Sequence, residues 1–594
     1  MTLARVLSDR RRMLASLRRF GRSDQVVLSV MAVLIGAAGG GAAIGFRYAI
    51  DAVQWLGFGY AGEALASHAE GLDWWLLLLV PSLGGLLVGL FIYRFLPNGQ
   101  PQGVANVMEA TALYGGRMSL GTGLRAAAAS AASIGCGASV GREGPVVHLG
   151  AVLGSWLALR FHLGRRLTRT LLGCGVAAAV AASFNAPIAG VFFALEVVVG
   201  HYALSAFAPI VIAGVVGTLV SRMHFGDYPA FVLDEQFQIV SFWEFPAFAL
   251  LGAVAAVVAI VFIQSVAISQ KSFARLPGPV WIRPAVAGLL VGSMALVFPQ
   301  VLGVGYEATD QALGQQYALE LLIALAVAKV AATAISLGGG FGGGVFSPSL
   351  FVGAMTGGAF GLIAAGVFPN LATDHGAYTI VGMGAVAGAV LGAPISTILM
   401  VFELTGDYEI TIALMVATAI ASVVVKGTFG RSFFQWQLAQ RGLDIGQGQE
   451  ATLLAQVKVR SLIDRSYAAV ASGATLDEIK RELARAPCSE LLVIDGEGAL
   501  LGVITFTDIA AVVFDGEAHA ELTAAKLARN APVLTAEEDL QTAVRVFVGS
   551  GEPHIAVVDS RKEKRLLGLV HEHEVMAAYQ RTLARARAEE RGEA

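Results

Sequence analysis

Long apolar segments separated by short polar connections fill the first three-quarters of the chain. They lie at 26–44, 74–95, 171–199, 203–220, 245–267, 280–298, 321–337, 346–368, 378–402 and 410–425. A helix that crosses a bilayer needs about 20 mainly apolar residues, so the pattern predicts an all-α polytopic membrane domain. Several segments are too short or too rich in glycine to be simple spans, which indicates broken helices that line a cavity.

Two glycine-rich parts of this region are copies of each other. An offset of 203 residues aligns Gly137, Gly141, Pro145, Gly150, Ala151 and Gly154 with Gly340, Gly344, Pro348, Gly353, Ala354 and Gly357. An offset of 207 residues then aligns Ala186, Pro187, Ile188 and Glu196 with Ala393, Pro394, Ile395 and Glu403. Two such halves with matching breaks are typical of a channel or transporter built from structural repeats. The repeat alone leaves open whether the halves are inverted.

After residue 434 the pattern changes to shorter, alternating segments, and a second duplication follows. Strands are predicted at 491–494, 501–504, 555–558 and 567–570, with helices such as 475–485 and 536–548 before each pair. This pattern predicts a soluble α/β tail. The predicted divisions are a basic N-terminal segment 1–25, a membrane domain 26–440, a linker 441–455, tail copies 456–516 and 522–580, and a charged end 581–594.

Composition and charge agree with a membrane protein. The chain is 56% hydrophobic and 14% charged, whereas soluble domains carry about 25% charged residues. A net charge of −3 argues against a nucleic-acid partner. Seven arginines before residue 23 favour an uncleaved signal anchor with a cytoplasmic N-terminus. Cys136, Cys174 and Cys488 are far apart and form no CxxC pair, so neither a disulfide framework nor a metal site is predicted.

Three glycine-flanked helix starts are candidates for anion binding, at 102–104, 141–145 and 344–348. The first N–H groups of a helix have no partner within the helix, and its dipole places about half a positive charge there. Such ends can replace part of an anion's hydration without a full positive charge that would trap the ion. The sequence therefore indicates a pore for small anions.

The motifs at these positions resemble those of the CLC family of chloride channels and transporters. Residues 141–145 read GREGP and 344–348 read GVFSP, and 184–190 (FNAPIAG) and 402–406 (FELTG) match further family segments. The resemblance implies inverted repeats, a multi-pass protein of the cell membrane, and a homodimer with one pore per subunit. It also implies chloride as the bound ion, no required cofactor and no enzymatic activity.

By the same resemblance, Glu143 is the gate. A carboxylate at a glycine-rich helix start mimics an anion, so it can occupy the empty ion site and leave when chloride arrives. A local ion pair with Arg142 or Arg169 is the structural alternative. The anion-binding residues implied are Gln102, Gly103, Arg142, Gly144, Val345, Phe346 and Phe434. A lipid-facing position or core packing is the alternative role of Phe346.

Three departures from the family pattern bear on function. Gln102 stands where the family has a serine ligand, and its amide N–H can still donate to an anion. Phe434 stands where the family has a pore tyrosine, so that hydroxyl donor is lost. Exchangers of the family commonly carry a second glutamate at the position of Val197, and valine cannot relay a proton. Passive conduction is therefore favoured over chloride/proton antiport, which stays the alternative. The repeat mates Glu196 and Glu403 are interpreted as structural.

The tail resembles a pair of CBS domains, a module that often binds adenine nucleotides. Thr505 and Asp508 occupy the family's ribose and phosphate position, and Glu574 takes the matching place in the second copy. That second copy departs from the pattern, so a purely structural, dimerising tail is an equal alternative. Its HEHE sequence at 571–574 is not the HExxH zinc motif.

Two functions from other classes fit the sequence less well. A divalent-cation transporter needs several membrane carboxylates around one cavity, and the apolar segments hold essentially Glu143, Glu196 and Glu403. An intramembrane protease needs a motif such as HExxH, which the membrane region lacks, or a GxSxG nucleophile between a strand and a helix; GASVG at 137–141 matches the letters, but no strand is predicted before it.

Overall fold

A computed structural model describes residues 24–227, 231, 242–368, 375–443, 453–455, 457–514 and 522–591. The chain divides after Gly446 into a helical membrane unit and a tail unit. The predicted basic N-terminal segment, most of the linker and the end of the C-terminal tail lie outside the described residues. Within the described residues, eight helices are long and apolar enough to cross a membrane.

The membrane unit consists of helices whose lengths vary from one turn to eight or more. They are α1 Asp24–Phe58, α2 Leu65–Glu70, α3 Trp74–Phe95, α4 Val104–Leu113, α5 Leu120–Gly135, α6 Glu143–Arg160, α7 Arg165–Phe184, α8 Pro187–Phe193, α9 Leu204–Phe225, α10 Phe245–Ala274, α11 Arg283–Ala295, α12 Tyr306–Leu313, α13 Leu319–Gly339, α14 Phe346–Val367, α15 His375–Leu391, α16 Pro394–Thr405, α17 Tyr408–Thr428 and α18 Phe433–Gln440. A π-helical turn, Ala194–Val199, continues α8.

Two apolar segments that the sequence presents as continuous are each two helices. Segment 171–199 breaks after Asn185, which has a φ of 57°, and segment 378–402 breaks at Gly392, which has a φ of 69°. In both, the next helix starts with a proline, whose fixed φ suits the first position of a helix. Helices α4 and α6 begin at the predicted helix starts 102–104 and 141–145, whereas α5 lies in a region without a continuous apolar segment and was not predicted.

Mates in the two halves run antiparallel. Glu403, near the end of α16, accepts hydrogen bonds from the backbone N–H groups of Ile188 (2.8 Å) and Ala189 (2.7 Å) at the start of α8. Glu196, in the turn that ends α8, accepts from those of Ile395 (3.1 Å) and Ser396 (2.8 Å) at the start of α16. Because the end of each helix contacts the beginning of its mate, the two halves are inverted.

Paired glycines hold the central helices together. A Cβ atom built on Gly175 of α7 would lie 1.9 Å from the carbonyl oxygen of Gly150 in α6. In the second half, a Cβ atom on Gly382 of α15 would lie 2.7 Å from the carbonyl oxygen of Gly353 in α14. Small residues let membrane helices approach until their backbones touch. These two helix pairs form the core that fixes where α6 and α14 begin.

The tail unit contains two three-stranded sheets with the same topology. The strands are β1 Ala469–Ala471, β2 Glu490–Ile494, β3 Leu500–Thr505, β4 Val533–Thr535, β5 His554–Val558 and β6 Leu566–His571, and the helices are α19 Leu476–Leu483, α20 Phe506–Phe514, α21 Ala524–Leu527, α22 Leu540–Ser550 and α23 Glu572–Arg591. In each sheet the first strand is parallel to the second, and the third is antiparallel to it. The short strands β1 and β4 were not predicted. The predicted fold class, an all-α membrane domain with an α/β tail, is confirmed.

Candidate functional site

The two glycine motifs meet in the centre of the membrane unit. The backbone N–H of Gly141 donates to the carbonyl of Gly344 (2.7 Å), and the N–H of Gly344 donates back to Gly141 (2.8 Å). A Cβ atom on Gly141 would lie 3.1 Å from the backbone nitrogen of Ser347 and 2.8 Å from the carboxylate of Glu143. A side chain here would crowd Ser347 and the Glu143 carboxylate, so glycine favours this approach, which brings the starts of α6 and α14 together.

Glu143 is the first residue of α6, and its carboxylate reaches the start of α14. Oε2 accepts hydrogen bonds from the backbone N–H of Ser347 (3.3 Å) and from its hydroxyl (2.5 Å). Oε1 accepts from the hydroxyl of Tyr306 (2.6 Å). The side chain is 1% exposed. A buried carboxylate therefore occupies the N-terminal end of a helix, where a bound anion is stabilised by N–H groups and the helix dipole.

A narrow cavity of about 80 Å³ begins at this carboxylate. It lies where α4, α6 and α14 start, and we call it the three-helix cavity. Its lining includes these predicted site residues: Gln102, Gly103, Glu143, Gly144, Val345, Phe346 and Phe434. Among the described residues that line it, Glu143 is the sole carboxylate, and Arg441, which also lines it, forms an ion pair with Glu109 (2.8 Å). The cavity thus joins three helix starts from distant parts of the chain.

Aromatic side chains form the walls of this cavity. The ring of Phe346 packs on Phe184 (centroids 5.0 Å apart) and on Phe193 (5.9 Å). Phe346 therefore both packs in the core and faces the cavity, so the two sequence-based interpretations of this residue are compatible. The Gln102 amide donates to the carbonyl of Gln100 at 3.4 Å.

Arg142 lies apart from the other predicted anion-binding residues. Its guanidinium donates to Glu63 (2.9 Å), stacks over the Tyr306 ring (4.5 Å) and is 3.9 Å from the Glu143 carboxylate. It lines a second cavity, which we call the arginine cavity, together with Arg47, Glu63 and Tyr306. Glu143 and Tyr306 thus separate two cavities that both carry arginine.

Tyr306 and Lys329 are functional candidates that the sequence reasoning missed. Lys329 is fully buried, and its ammonium donates to the carbonyls of Val301 (3.1 Å) and Gly303 (3.0 Å). Those carbonyls belong to the loop that leads into α12, whose first residue is Tyr306. A lysine in an apolar membrane segment is costly unless it is paired, so such a residue usually has a function. The position of Lys329 within the apolar segment 321–337 could therefore have identified it from the sequence. No motif marks Tyr306.

Val197 lies in the π-helical turn after α8, buried among apolar side chains. Its neighbour Glu196 and the repeat mate Glu403 both accept hydrogen bonds from backbone N–H groups of the opposite half. Neither carboxylate lines the three-helix cavity. Among the described residues, the three-helix cavity therefore has no second carboxylate beside Glu143.

In the tail, the three residues predicted to bind a nucleotide have different surroundings. Asp508 accepts from the backbone N–H (2.8 Å) and hydroxyl (2.7 Å) of Thr505, and its carboxylate is 3.3 Å from Arg529. Arg529 also forms two hydrogen bonds with Glu552, which hold the pKa of that carboxyl below its ordinary value. Glu574 lies in the first turn of α23, half-buried. Asp508 and Glu574 occupy equivalent places in the two copies.

The tail also gathers groups that could hold a metal ion. The thiol of Cys488 and one ring nitrogen each from His554 and His571 lie within 4.8 Å of one another. These residues are 66 and 17 positions apart along the chain, so no spacing motif revealed them.

Comparison with known proteins agrees with this architecture. A family model described as voltage gated chloride channel matches residues 84–426, and the CBS domain model matches 459–515 and 524–581. A ClcB-like protein of Ralstonia nicotianae is 36% identical over 414 residues, which cover 69% of this chain and 96% of that protein. The voltage-gated ClC-type chloride channel ClcB of Escherichia coli is 30% identical over 415 residues, 69% of this chain and 98% of that protein. The crystal structure of a eukaryotic CLC transporter superimposes with a TM-score of 0.62 at 20% identity, covering 93% of this chain and 98% of that one.

Proposed function

The chain belongs to the voltage-gated chloride channel (CLC) family of membrane anion transporters, and from this membership we propose that it conducts chloride passively, with Glu143 as the gate. Similar small monovalent anions would follow the same path. The pore runs through the three-helix cavity, past Glu143, and into the arginine cavity.

One observation carries this proposal. The Glu143 carboxylate lies at the start of α14, where it accepts hydrogen bonds from the N–H and O–H groups of Ser347 and from Tyr306. A chloride ion needs the same surroundings, namely N–H and O–H donors and the positive end of a helix dipole. The carboxylate therefore stands in for an anion, and conduction requires it to leave.

Two events can release the carboxylate from this position. A chloride ion that enters the three-helix cavity competes for the same donors. Protonation of Glu143 removes the negative charge, so the helix end no longer holds the side chain strongly. Both events open the path to the arginine cavity, where Arg47 and Arg142 are each paired with Glu63.

Passive conduction is favoured because proton coupling needs a relay on the far side of the ion site. The position at which family exchangers commonly carry a second glutamate is Val197, a buried hydrocarbon side chain. The carboxylates of Glu196 and Glu403 are already engaged by backbone N–H groups. Chloride/proton antiport stays the alternative, and it would require a water chain to Glu143.

The decisive measurement is chloride and proton flux in liposomes that contain the purified protein. In the wild type, a chloride gradient should set the reversal potential, and a pH gradient should leave it unchanged. A reversal potential that shifts with the pH gradient would instead establish antiport. This comparison separates the two modes without any mutation.

Glu143→Ala tests the gate in the same vesicles. The variant lacks the competing carboxylate, so chloride flux should rise and lose most of its pH dependence. Glu409→Ala, which removes an exposed carboxylate in the first turn of α17, should behave as the wild type. Unchanged flux in folded Glu143→Ala would refute the gate.

Three further parts of the proposal rest on the family resemblance. We propose that the protein forms a homodimer, that the N-terminus and tail face the cytoplasm, and that an adenine nucleotide binds near Thr505, Asp508 and Glu574. Cross-linking in membranes tests the dimer, and protease access to the tail in inside-out vesicles tests the orientation. Calorimetric titration with ATP, repeated on Asp508→Asn, tests the nucleotide site; a purely structural tail would release no binding heat.

A further inference from the structure

We propose that the tail contains a binding site for a divalent transition metal, with Zn²⁺ as the expected ion, formed by Cys488, His554 and His571. Cys488 belongs to the first tail copy and the two histidines belong to the second. The site uses none of the residues proposed to bind a nucleotide, although Glu490, which contacts His554, lies opposite Thr505 in the sheet.

The fold brings these groups together through strand register. His554, the first residue of β5, lies directly opposite His571, the last residue of β6, and their ring centroids are 4.9 Å apart. The equivalent corner of the first copy pairs Glu490 with Thr505. Cys488 lies two residues before the start of β2 and carries a free thiol. The two equivalent corners face each other, so the first copy presents its thiol to the imidazoles of the second.

The distances and donor types suit zinc. The sulfur and one nitrogen from each ring lie within 4.8 Å of one another. In a tetrahedral site, with Zn–N of about 2.0 Å and Zn–S of about 2.3 Å, ligand atoms are roughly 3.5 Å apart, so side-chain movements of about 1 Å close the site. One thiolate and two imidazoles form a donor set that zinc accepts, and the fourth position is left for water or a carboxylate.

Two carboxylates already orient the histidine rings. Glu490 Oε1 lies 3.2 Å from His554 Nδ1, and Asp464 Oδ2 lies 3.1 Å from His571 Nε2. The opposite nitrogen of each ring is then left for a metal. Metal-binding histidines usually donate their second ring N–H to such a carboxylate, which fixes the ring and raises its basicity. The Glu490 side chain is only 6% exposed. Its carboxylate is therefore buried beside the His554 ring, unlike the carboxylate of a solvated surface ion pair.

Access from solvent is available. The side chains of His554 and His571 are 18% and 13% exposed, so an ion can enter without unfolding of the sheets. His573 is also close, with its ring 5.4 Å from that of His571, but it is exposed. We assign it no role as a ligand, and the experiment tests that assignment.

The test uses the purified full-length protein in detergent, reduced and freed of metal by a chelator. Zn²⁺ is titrated against a chromophoric competitor, and Co²⁺ is added as a spectroscopic substitute. We expect one equivalent of Zn²⁺ per chain and a thiolate-to-cobalt charge-transfer band in the near ultraviolet. An absence of stoichiometric binding, or a cobalt spectrum without that band, would overturn the proposal with no mutation involved.

Variants then assign the ligands. Cys488→Ser should abolish the cobalt band and weaken Zn²⁺ binding at least tenfold, as should His554→Asn and His571→Asn. Glu490→Gln, which alters ring orientation only, should weaken binding about 10-fold to 100-fold and keep the band. Cys174→Ala, which removes a thiol buried in the membrane unit, and His573→Asn should bind as the wild type. Wild-type affinity in folded Cys488→Ser, or lost affinity in His573→Asn, would contradict the assigned donor set.

Discussion

At the level of single side chains, Glu143 is held by donors from two separate elements. Ser347 belongs to α14 and Tyr306 to α12, while Glu143 itself starts α6. Lys329 in α13 supports Tyr306 indirectly, because it binds the carbonyls of the loop before α12. The blocking position of the carboxylate is thus set by a hydrogen-bond network. Each donor contributes separately to the equilibrium between the held and the released carboxylate.

Tyr306→Phe should shift this equilibrium toward release. A hydrogen bond to a charged group contributes about 1.5–3 kcal/mol, so loss of the hydroxyl should increase the released population about tenfold or more. Chloride flux at neutral pH should therefore rise toward that of Glu143→Ala, as measured in liposomes. In a Glu143→Ala background, Tyr306→Phe should have no further effect. An equal increase in both backgrounds would show that Tyr306 acts elsewhere.

Phe434→Tyr should restore a hydroxyl donor to the three-helix cavity. Phe434 lines that cavity and is almost fully buried. A hydrogen bond to a charged group contributes about 1.5–3 kcal/mol, so chloride should bind more tightly, by about tenfold or more, in isothermal titration. Phe429→Tyr, at the end of α17 and outside the cavity lining, is the matched control. Equal affinity in the two variants would mean that the Phe434 ring does not contact the ion.

Among the elements, the backbone N–H groups at helix starts find hydrogen-bond acceptors in two different ways. The starts of α8 and α16 are capped by glutamates of the opposite half, which binds the inverted repeats to each other. The start of α14 instead receives the carboxylate of Glu143, which also accepts a hydrogen bond from Tyr306 of α12. We expect Glu196 and Glu403 to stay bound to their helix starts during conduction. Glu143, in contrast, is proposed to leave the start of α14 when the gate opens.

Glu403→Gln should destabilise the membrane unit without a direct effect on the ion site. The amide group of glutamine places an N–H donor against one of the two backbone N–H groups at the start of α8, which leaves that donor unsatisfied. An unsatisfied buried donor costs about 1–3 kcal/mol, and the thermal midpoint in detergent should fall accordingly. Glu196→Gln should do the same at α16, whereas Glu409→Gln, on an exposed side chain, should not. A decrease at only one of the mates would argue against their equivalence.

For the whole molecule, backbone contact between paired helices decides whether the helix starts converge. The Gly150–Gly175 contact in the first half and the Gly353–Gly382 contact in the second leave no space for a side chain. Because densely packed interiors transmit strain, pushing the two helices of a pair apart would also shift the starts of α6 and α14. The positions of α6 and α14, and with them the Glu143 site, therefore depend on these contacts.

Gly175→Val and Gly382→Val should each reduce the folded fraction sharply. The added side chain would collide with the facing backbone, and overpacking of a core costs typically 1–3 kcal/mol or more. Size-exclusion chromatography of the solubilised protein should show a smaller monodisperse peak. Gly45→Val is the control, because a Cβ atom on Gly45 in α1 meets nothing within 4 Å. Equal yields from all three variants would show that the close contacts are dispensable.

Local patterns were sufficient for the repeats, the tail and the motifs of the site. Apolar runs, glycine clusters and proline positions act through short-range backbone preferences and through burial, which a linear pattern records. The glycine motifs at 141–145 and 344–348 marked where helices start. They also marked Glu143, because a carboxylate in such a setting is rare in an apolar region.

Contacts between residues far apart in the chain were decided by the tertiary structure. Tyr306 and Glu143 are 163 positions apart, and Cys488 meets His554 and His571 only because two sheet corners face each other. The direction of one repeat relative to the other likewise followed from the reciprocal caps at Glu196 and Glu403. The physical reason is that hydrogen bonds and ligand distances act over about 3 Å, and only the packed fold brings such residues that close.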